Sequence, residues 1–184
     1  ADHTYLLKGP ITVNKAITIK GFNGPDDCVV DGRNDVRCFD INNASLVDLT
    51  IQHGFVRGGF IGDRERRYGG GVYARNCVIN NCVFRENRGN QGLHGILPAG
   101  AALAARDGSV VRDCTFYDNN KGGDGFSDPS TVHVGSGSLI ERCIIRNNVT
   151  SVGALDCDRS TVVRCQIYSN PVSYTHLRAH ETIN

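Results

Sequence analysis

Three side chains that could carry acid–base chemistry occupy equivalent places in a recurring sequence pattern. They are His133, Asp156 and Tyr73. A carboxylate next to an imidazole orients the ring and stabilises its protonated form, and a tyrosine hydroxyl can also transfer a proton. His133 and Asp156 belong to successive copies of the pattern, so they would be about 5 Å apart if those copies stack in register. They could equally be solvated surface groups, because exposed polar side chains are common.

Five charged residues are candidates for ligand binding. Asp40 occupies the same repeat position as the acid–base residues, and Arg64, Arg66 and Arg67 form a cationic run that could meet an acidic sugar. Asp124 lies in a glycine-rich segment that is similar to a calcium-binding nonapeptide, although the second aspartate comes one place late and the unit occurs once. We therefore predict no resident metal or cofactor, with Ca²⁺ near Asp124 as an open alternative.

The recurring pattern has four clear copies, which are 22 to 33 residues apart when a weaker earlier copy is included. The clear copies share a cysteine, an apolar residue two places later and an asparagine five places later. In chain order, the cysteines are Cys82, Cys114, Cys143 and Cys165, the apolar residues are Phe84, Phe116, Ile145 and Ile167, and the asparagines are Asn87, Asn119, Asn148 and Asn170. The weaker copy has Leu49, Ile51 and Gly54 at these positions.

The alternation of apolar residues within each copy predicts short strands with one buried face. A second alternating run precedes each copy, and the middle residues of these runs, which point away from the core, are Asp40, Tyr73, Ala104, His133 and Asp156. Such short strands bury a core only if successive copies coil and stack in parallel. The sequence therefore predicts an all-β solenoid in which like residues form columns. Asparagines in one column can bond to each other through their side-chain amides.

The pattern resembles the right-handed parallel β-helix superfamily, which includes pectate-lyase-like enzymes and repeat proteins of bacterial surfaces. The resemblance rests on Gly69-Gly70-Gly71-Val72-Tyr73, on Asn81-Cys82-Val83-Phe84 with Asn87, and on the degenerate copies, and it covers roughly residues 11–170. It implies a right-handed parallel β-helix of about five to six coils. It also implies a secreted or cell-surface protein of bacterial type, and we expect the chain to be part of a larger multidomain protein.

The chain divides into three segments on this interpretation. Residues 1–35 form a first coil and a possible N-terminal cap, residues 36–170 form the β-helix coils, and residues 171–184 form a tail without the repeat that could be foreign sequence. Long inserts at 55–68, 88–98 and 121–130 all come just before the strand that carries the row of middle residues. We expect these inserts to form the walls of a groove along that row.

Composition excludes two classes of partner. The formal net charge is +1, which argues against nucleic acid held by bulk charge, and no run of 18 apolar residues could span a bilayer. The cysteine column predicts small buried apolar residues, because stacked Cβ atoms stay too far apart for disulfides and a linear column cannot surround zinc. Cys28 and Cys38 are the one pair that could form a bridge.

The resemblance and the groove together predict a module that binds polysaccharide along the row, with Asp40, Arg64, Arg66, Arg67 and Asp124 as contacts. The alternative is a uronan lyase or epimerase that abstracts a proton, with His133, Asp156 and Tyr73 as catalytic residues. Glycoside hydrolysis is disfavoured because Asp40 and Asp156 would be about 19 Å apart at strand spacing, beyond the separation of a carboxylate pair. A structural stalk or adhesin segment without a ligand is the third interpretation.

Overall fold

The computed structural model describes residues 3–57, 68–90, 99–120 and 129–171, and this part of the chain forms a parallel β-solenoid. Three sheets run the length of the solenoid, and each coil contributes one strand to each sheet in the same order. Sheet 1 contains β2 (Ile11–Val13), β5 (Phe39–Asn42), β9 (Val72–Arg75), β13 (Leu103–Arg106), β16 (Val132–Gly135) and β19 (Leu155–Asp158). Sheet 2 contains β3 (Thr18–Lys20), β6 (Ser45–Val47), β10 (Val78–Asn80), β14 (Val110–Arg112), β17 (Leu139–Glu141) and β20 (Thr161–Val163).

Sheet 3 contains β1 (His3–Leu6), β4 (Cys28–Asp31), β7 (Thr50–Gln52), β11 (Val83–Arg85), β15 (Thr115–Tyr117), β18 (Ile144–Arg146) and β21 (Gln166–Tyr168). A small sheet 4 pairs β8 (Phe55–Arg57) with β12 (Arg88–Asn90), so the first residues of two inserts continue the stacking. All pairings between these strands are parallel. The predicted all-β architecture is confirmed.

The core lies between the three sheets and is built from the columns that the sequence predicts. Phe84 and Phe116 stack with their ring centroids 4.7 Å apart, and the interior side chains of the central coils are fully buried. Four coils, which begin at β5, β9, β13 and β16, have a neighbour on each side. The coils at the two ends are more exposed, and all residues of β20 and β21 are accessible to solvent.

The cysteine column is part of this core. All eight cysteines are free thiols, so Cys28 and Cys38 form no bridge in this structure. The sulfur of Cys114 lies 3.5 Å from the backbone nitrogen of Cys82, and burial raises the pKa of the Cys114 thiol well above its ordinary value. The buried members Cys82, Cys114 and Cys143 therefore act as small groups that fill space in the core.

The predicted asparagine column forms a ladder of hydrogen bonds. The Oδ1 atom of Asn119 accepts bonds from the backbone and side-chain nitrogens of Asn87 at 3.0 and 3.1 Å. Asn148 and Asn170 repeat this arrangement one and two coils further along. Gly54 occupies the same column, and its backbone nitrogen donates to Asn87 Oδ1 at 2.8 Å. A Cβ atom there would lie 2.4 Å from the carbonyl oxygen of Gly70, which explains the glycine.

Three corners of each central coil have a residue in the left-handed region of backbone space. For the coil that begins at β9, these residues are Asn76, Asn81 and Glu86, with φ values of 50°, 49° and 57°. Asparagine and aspartate tolerate this conformation better than most residues, and they are common at these corners. The corners fix the turn between consecutive sheets and thereby the register of every column.

Parts of the predicted organisation fall on residues that the structure does not describe. Most of each insert lies at 58–67, 91–98 and 121–128, so the expected groove walls are outside the described residues. The same holds for residues 172–184 of the tail. The assignment of residues 1–35 as a cap and of the tail as foreign sequence stays a prediction.

Candidate functional site

The outward face of sheet 1 brings the predicted row of residues into register. Asp40 pairs with Tyr73, Tyr73 with Ala104, Ala104 with His133, and His133 with Asp156. The flanking residues of each strand, such as Val72 and Ala74, belong to the core cluster, whereas Tyr73 does not. Strand alternation therefore places the whole row on the side away from the core.

His133 and Asp156 form a hydrogen-bonded pair. Nδ1 of His133 lies 2.8 Å from Oδ2 of Asp156, and this bond lowers the pKa of the Asp156 carboxyl below its ordinary value. An ionised carboxylate accepts hydrogen bonds only, so Nδ1 carries the proton and Nε2 has the free lone pair when the ring is neutral. Nε2 lies over Gly135, where an added Cβ atom would be only 3.2 Å away. The missing side chain of Gly135 thus leaves room for the ring along the strand.

The centre of the row is covered, which corrects the expectation of one open surface residue per coil. Tyr73, Ala104 and His133 have relative exposures of 5%, 0% and 8%. The ring of Tyr68 stacks on Tyr73 at 5.4 Å between centroids and lies 5.8 Å from the ring of His133. Since Ala104 has only a methyl group between these two residues, Tyr68 fills the space above it.

Arginines surround this aromatic group. The guanidinium carbon of Arg75 lies 4.7 Å from the ring centroid of Tyr73, and that of Arg106 lies 4.9 Å from the ring of Tyr68. Both distances fit cation–π contacts. The face therefore combines half-buried cations with an aromatic surface at its centre.

Asp40 is bound to the protein's own cations. Arg37 Nη1 and Arg75 Nη2 each lie 3.0 Å from one of its carboxylate oxygens. Arg37 also donates to the carbonyl oxygens of Tyr68 and Gly69, so it fixes the segment that carries the covering ring. Asp40 consequently positions arginines in this structure and does not present a free carboxylate.

The other predicted contact residues, Arg64, Arg66, Arg67 and Asp124, lie outside the described residues. Sequence reasoning missed Tyr68 and the arginines at 37, 75 and 106. Arg75 and Arg106 could have been found, because they follow the row residues of their strands by two places and so share the outward face. Tyr68 has only its position before the run of three glycines as a signal.

Among the described residues, no group of three or more histidine, cysteine, aspartate or glutamate side chains is arranged to hold a metal ion. In the same part of the chain there is no helix long and apolar enough to cross a membrane. The residues of the sheet 1 face carry an imidazole with one ring nitrogen bound to a carboxylate, an aromatic ring at Tyr68 and several guanidinium groups.

The family of this chain follows from a comparison with known families. The family model described as a right-handed β-helix region matches residues 40–182. The chain belongs to the right-handed β-helix family, and this agrees with the parallel coils of the structure. Neither the curated proteins nor the solved structures contain a match.

Proposed function

We propose that the chain binds polysaccharide along the outward face of sheet 1, as a module of a secreted or cell-surface protein. The observation that carries this proposal is the line of Tyr73, Tyr68 and His133 rings with arginines beside it. The accessible part of the half-buried Tyr68 ring offers apolar surface to a sugar, and arginine offers several donors to hydroxyl or carboxylate oxygens. A glycan that lies along the solenoid axis would contact one coil after another.

The arrangement of the face also supports binding in energetic terms. Arg37 and Arg75 are held by Asp40, and Tyr68 is held between two rings, so these groups lose little freedom when a ligand binds. Preorganised side chains reduce the entropic cost of association. Such ordering is not needed in a stalk that has no ligand.

The test is binding to a panel of soluble neutral and acidic polysaccharides, measured by affinity electrophoresis and then by calorimetry on oligosaccharides. Tyr68→Ala should weaken binding about tenfold, because central aromatic contacts dominate such interfaces. The matched control is Phe22→Ala, which removes an aromatic residue with 93% exposure at a turn after β3. A wild-type protein that binds no member of the panel, or equal losses in both variants, would contradict the proposal and favour the stalk.

A second candidate function rests on the His133–Asp156 pair. With Nδ1 engaged by the carboxylate at 2.8 Å, the lone pair of Nε2 would serve as the general base toward the proton next to a uronate carboxyl once a substrate displaces the covering Tyr68 ring. In a lyase, the electron pair of that C–H bond forms a carbon–carbon double bond, the glycosidic C–O bond breaks, and the leaving oxygen takes up a proton. In an epimerase, the carbon takes a proton back on the opposite face.

Incubation with pectate and alginate, with and without Ca²⁺, tests this candidate through the ultraviolet absorbance of unsaturated uronate and through NMR of the sugar configuration. His133→Ala should abolish turnover, and Asp156→Asn should reduce kcat by about 100-fold, since correct orientation and charge of the base are lost. Turnover that persists in His133→Ala would remove His133 as the base. Without turnover in the wild type, the catalytic candidate fails while polysaccharide binding is still tested by the Tyr68 variant.

A further inference from the structure

A second row of side chains lies along the outward face of sheet 3, where the last residues of successive strands are in register. In order along the axis they are Asp31, Gln52, Arg85, Tyr117, Arg146 and Tyr168. Their inner neighbours Phe84, Phe116 and Ile145 belong to the core, so alternation turns this row away from the core. No two adjacent coils have the same residue type in this row. Over the last four coils, arginine and tyrosine alternate.

One end of the row is a closed polar network. Asp31 accepts hydrogen bonds from Gln52 Nε2 at 2.8 Å and from the backbone of Arg33 at 2.7 Å, and it lies 2.9 Å from Nδ1 of His53. Gln52 Oε1 in turn accepts from Nε of Arg85 at 2.8 Å. The carboxylate oxygens of Asp31 are thus bound by an amide side chain, a backbone amide and a histidine ring. Arg85 is held by its Nε atom, which donates to Gln52.

The rest of the row has cationic groups without acidic partners among the described residues. The guanidinium carbon of Arg146 lies 4.9 Å from the ring of Tyr117, and neither Arg85 nor Arg146 forms an ion pair in this part of the chain. The other outward positions of these strands hold uncharged residues, which are Val83, Thr115, Ile144 and Gln166. Arg85, Tyr117 and Arg146 are all half-buried, and Tyr168 is 48% exposed.

We propose that this face, formed by Arg85, Tyr117, Arg146 and Tyr168, is a separate binding site for a linear polysaccharide that carries carboxylates. Adjacent strands are about 4.8 Å apart, which is close to the length of one extended hexose, and the two arginines are therefore about 10 Å apart. In an extended chain with two-fold symmetry, every second sugar presents its carboxylate on the same side. Alternate coils then offer arginine to a carboxylate and tyrosine to a sugar ring.

Charge and composition distinguish this ligand from other anionic polymers. Nucleic-acid binding depends on many phosphate contacts, whereas this face has two cations and the whole chain has a net charge of +1. Neutral glycans would use the tyrosines but would offer no carboxylate to the two arginines. Two cations at about 10 Å, with stacking surfaces between and beside them, fit a uronate polymer best.

The site is distinct from the one in the proposed function, because its residues belong to strands of sheet 3 and those of the proposed function belong to sheet 1 and the segment before it. Its test is calorimetric titration of the full chain with oligogalacturonate at low salt. Arg146→Gln should weaken binding about tenfold, which is the usual effect of losing one charge-assisted bond. Tyr117→Phe should bind like the wild type, and Tyr117→Ala should lose affinity, because the ring and not the hydroxyl is required.

Arg112→Gln is the matched control for this experiment. Arg112 is the last residue of a three-residue strand, as Arg146 is, but it belongs to sheet 2 and lies 3.4 Å from Glu141. The inference would be overturned if Arg146→Gln and Arg112→Gln lost the same affinity for oligogalacturonate. It would also be overturned if a neutral hexasaccharide or polyuridylate bound as strongly as oligogalacturonate. If Tyr68→Ala lost affinity and Arg146→Gln did not, the inference about sheet 3 would be overturned and the site on sheet 1 would stand. If Arg146→Gln lost affinity and Tyr68→Ala did not, the result would support the site on sheet 3 alone.

Discussion

At the scale of single residues, Asp31 shows how a carboxylate can be committed to structure. The Asp31 side chain has 10% relative exposure and contacts Nδ1 of His53. The other ring nitrogen of His53, Nε2, lies 2.8 Å from the carboxylate of Glu86. Burial by itself raises the pKa of Asp31, but the hydrogen bonds from His53, Gln52 and the Arg33 backbone together lower it below its ordinary value. The ionised form is therefore the one that stabilises the fold.

This lowered pKa predicts a dependence of stability on acid. Since the pKa of Asp31 is lower in the folded than in the unfolded state, its contribution is complete above about pH 4, the unfolded value, and is lost as the pH falls through the folded value. Asp31→Asn should therefore be about 2 kcal/mol less stable than the wild type at pH 7, from lost charge-assisted bonds. Urea unfolding from pH 7 to pH 2 should show the difference shrinking in acid, and a constant difference would contradict this role.

Ala104 allows a second prediction at this scale. Because Ala104 stands between Tyr73 and His133 in register and Tyr68 contacts both of those rings, a larger side chain at Ala104 would compete with the Tyr68 ring for space. Ala104→Leu should displace Tyr68, cost about 1 to 3 kcal/mol of folding free energy and weaken glycan binding together with it. Thermal unfolding and calorimetry measure the two effects. An unchanged affinity in this variant would show that Tyr68 does not need its position between Tyr73 and His133.

At the scale of elements, the asparagine ladder connects strands that are far apart in sequence. Asn119 Nδ2 donates to the carbonyl oxygens of Phe84 and Tyr117 and to Asn148 Oδ1, while its own Oδ1 accepts two bonds from Asn87. Asn87, Asn119 and Asn148 are fully buried, so their side-chain amides need partners. The ladder thereby joins the corner after each strand of sheet 3 to the corners above and below it.

The ladder predicts that position within the column sets the cost of a substitution. Asn119→Ala should destabilise the fold by about 2 to 4 kcal/mol, because several buried groups lose their partners. Asn170→Ala should cost about half as much, since Asn170 is partly exposed and, among the described residues, has ladder contacts only to Asn148. Chemical denaturation of both variants measures the difference, and equal costs would contradict the ladder as the source of stability.

What the sequence revealed depended on repetition. Columns such as the cysteines and asparagines hold one residue type in successive coils, because the buried space is the same in each, and this made the fold and the row on sheet 1 predictable. The side that a residue faces followed from alternation, but the group that covers it did not, so the burial of Tyr73 and His133 was missed. Arg85, Tyr117 and Arg146 were missed because the outward surface imposes no common shape and their column changes type at every coil.

At the scale of the whole molecule, each coil contacts only its neighbours, so stability is distributed along the axis. Hydrogen exchange should be slowest in the backbone amides of β9–β11 and β13–β15, which have coils on both sides and fully buried core residues. It should be fastest in β19–β21, whose residues are more exposed. Uniform protection by mass spectrometry would instead indicate a single all-or-none unit.

The regular corners have a consequence for the length of the molecule. Leu139 and Thr161 stand directly in register in sheet 2, so the 22 residues from 139 to 160 make one complete circuit of the axis. A duplicate of this segment spliced in after residue 160 would meet the same junctions that the native chain already has. The protein would grow by about 4.8 Å, the distance between neighbouring strands. The length of polymer that the protein can contact would then depend on the number of such 22-residue segments encoded in the gene.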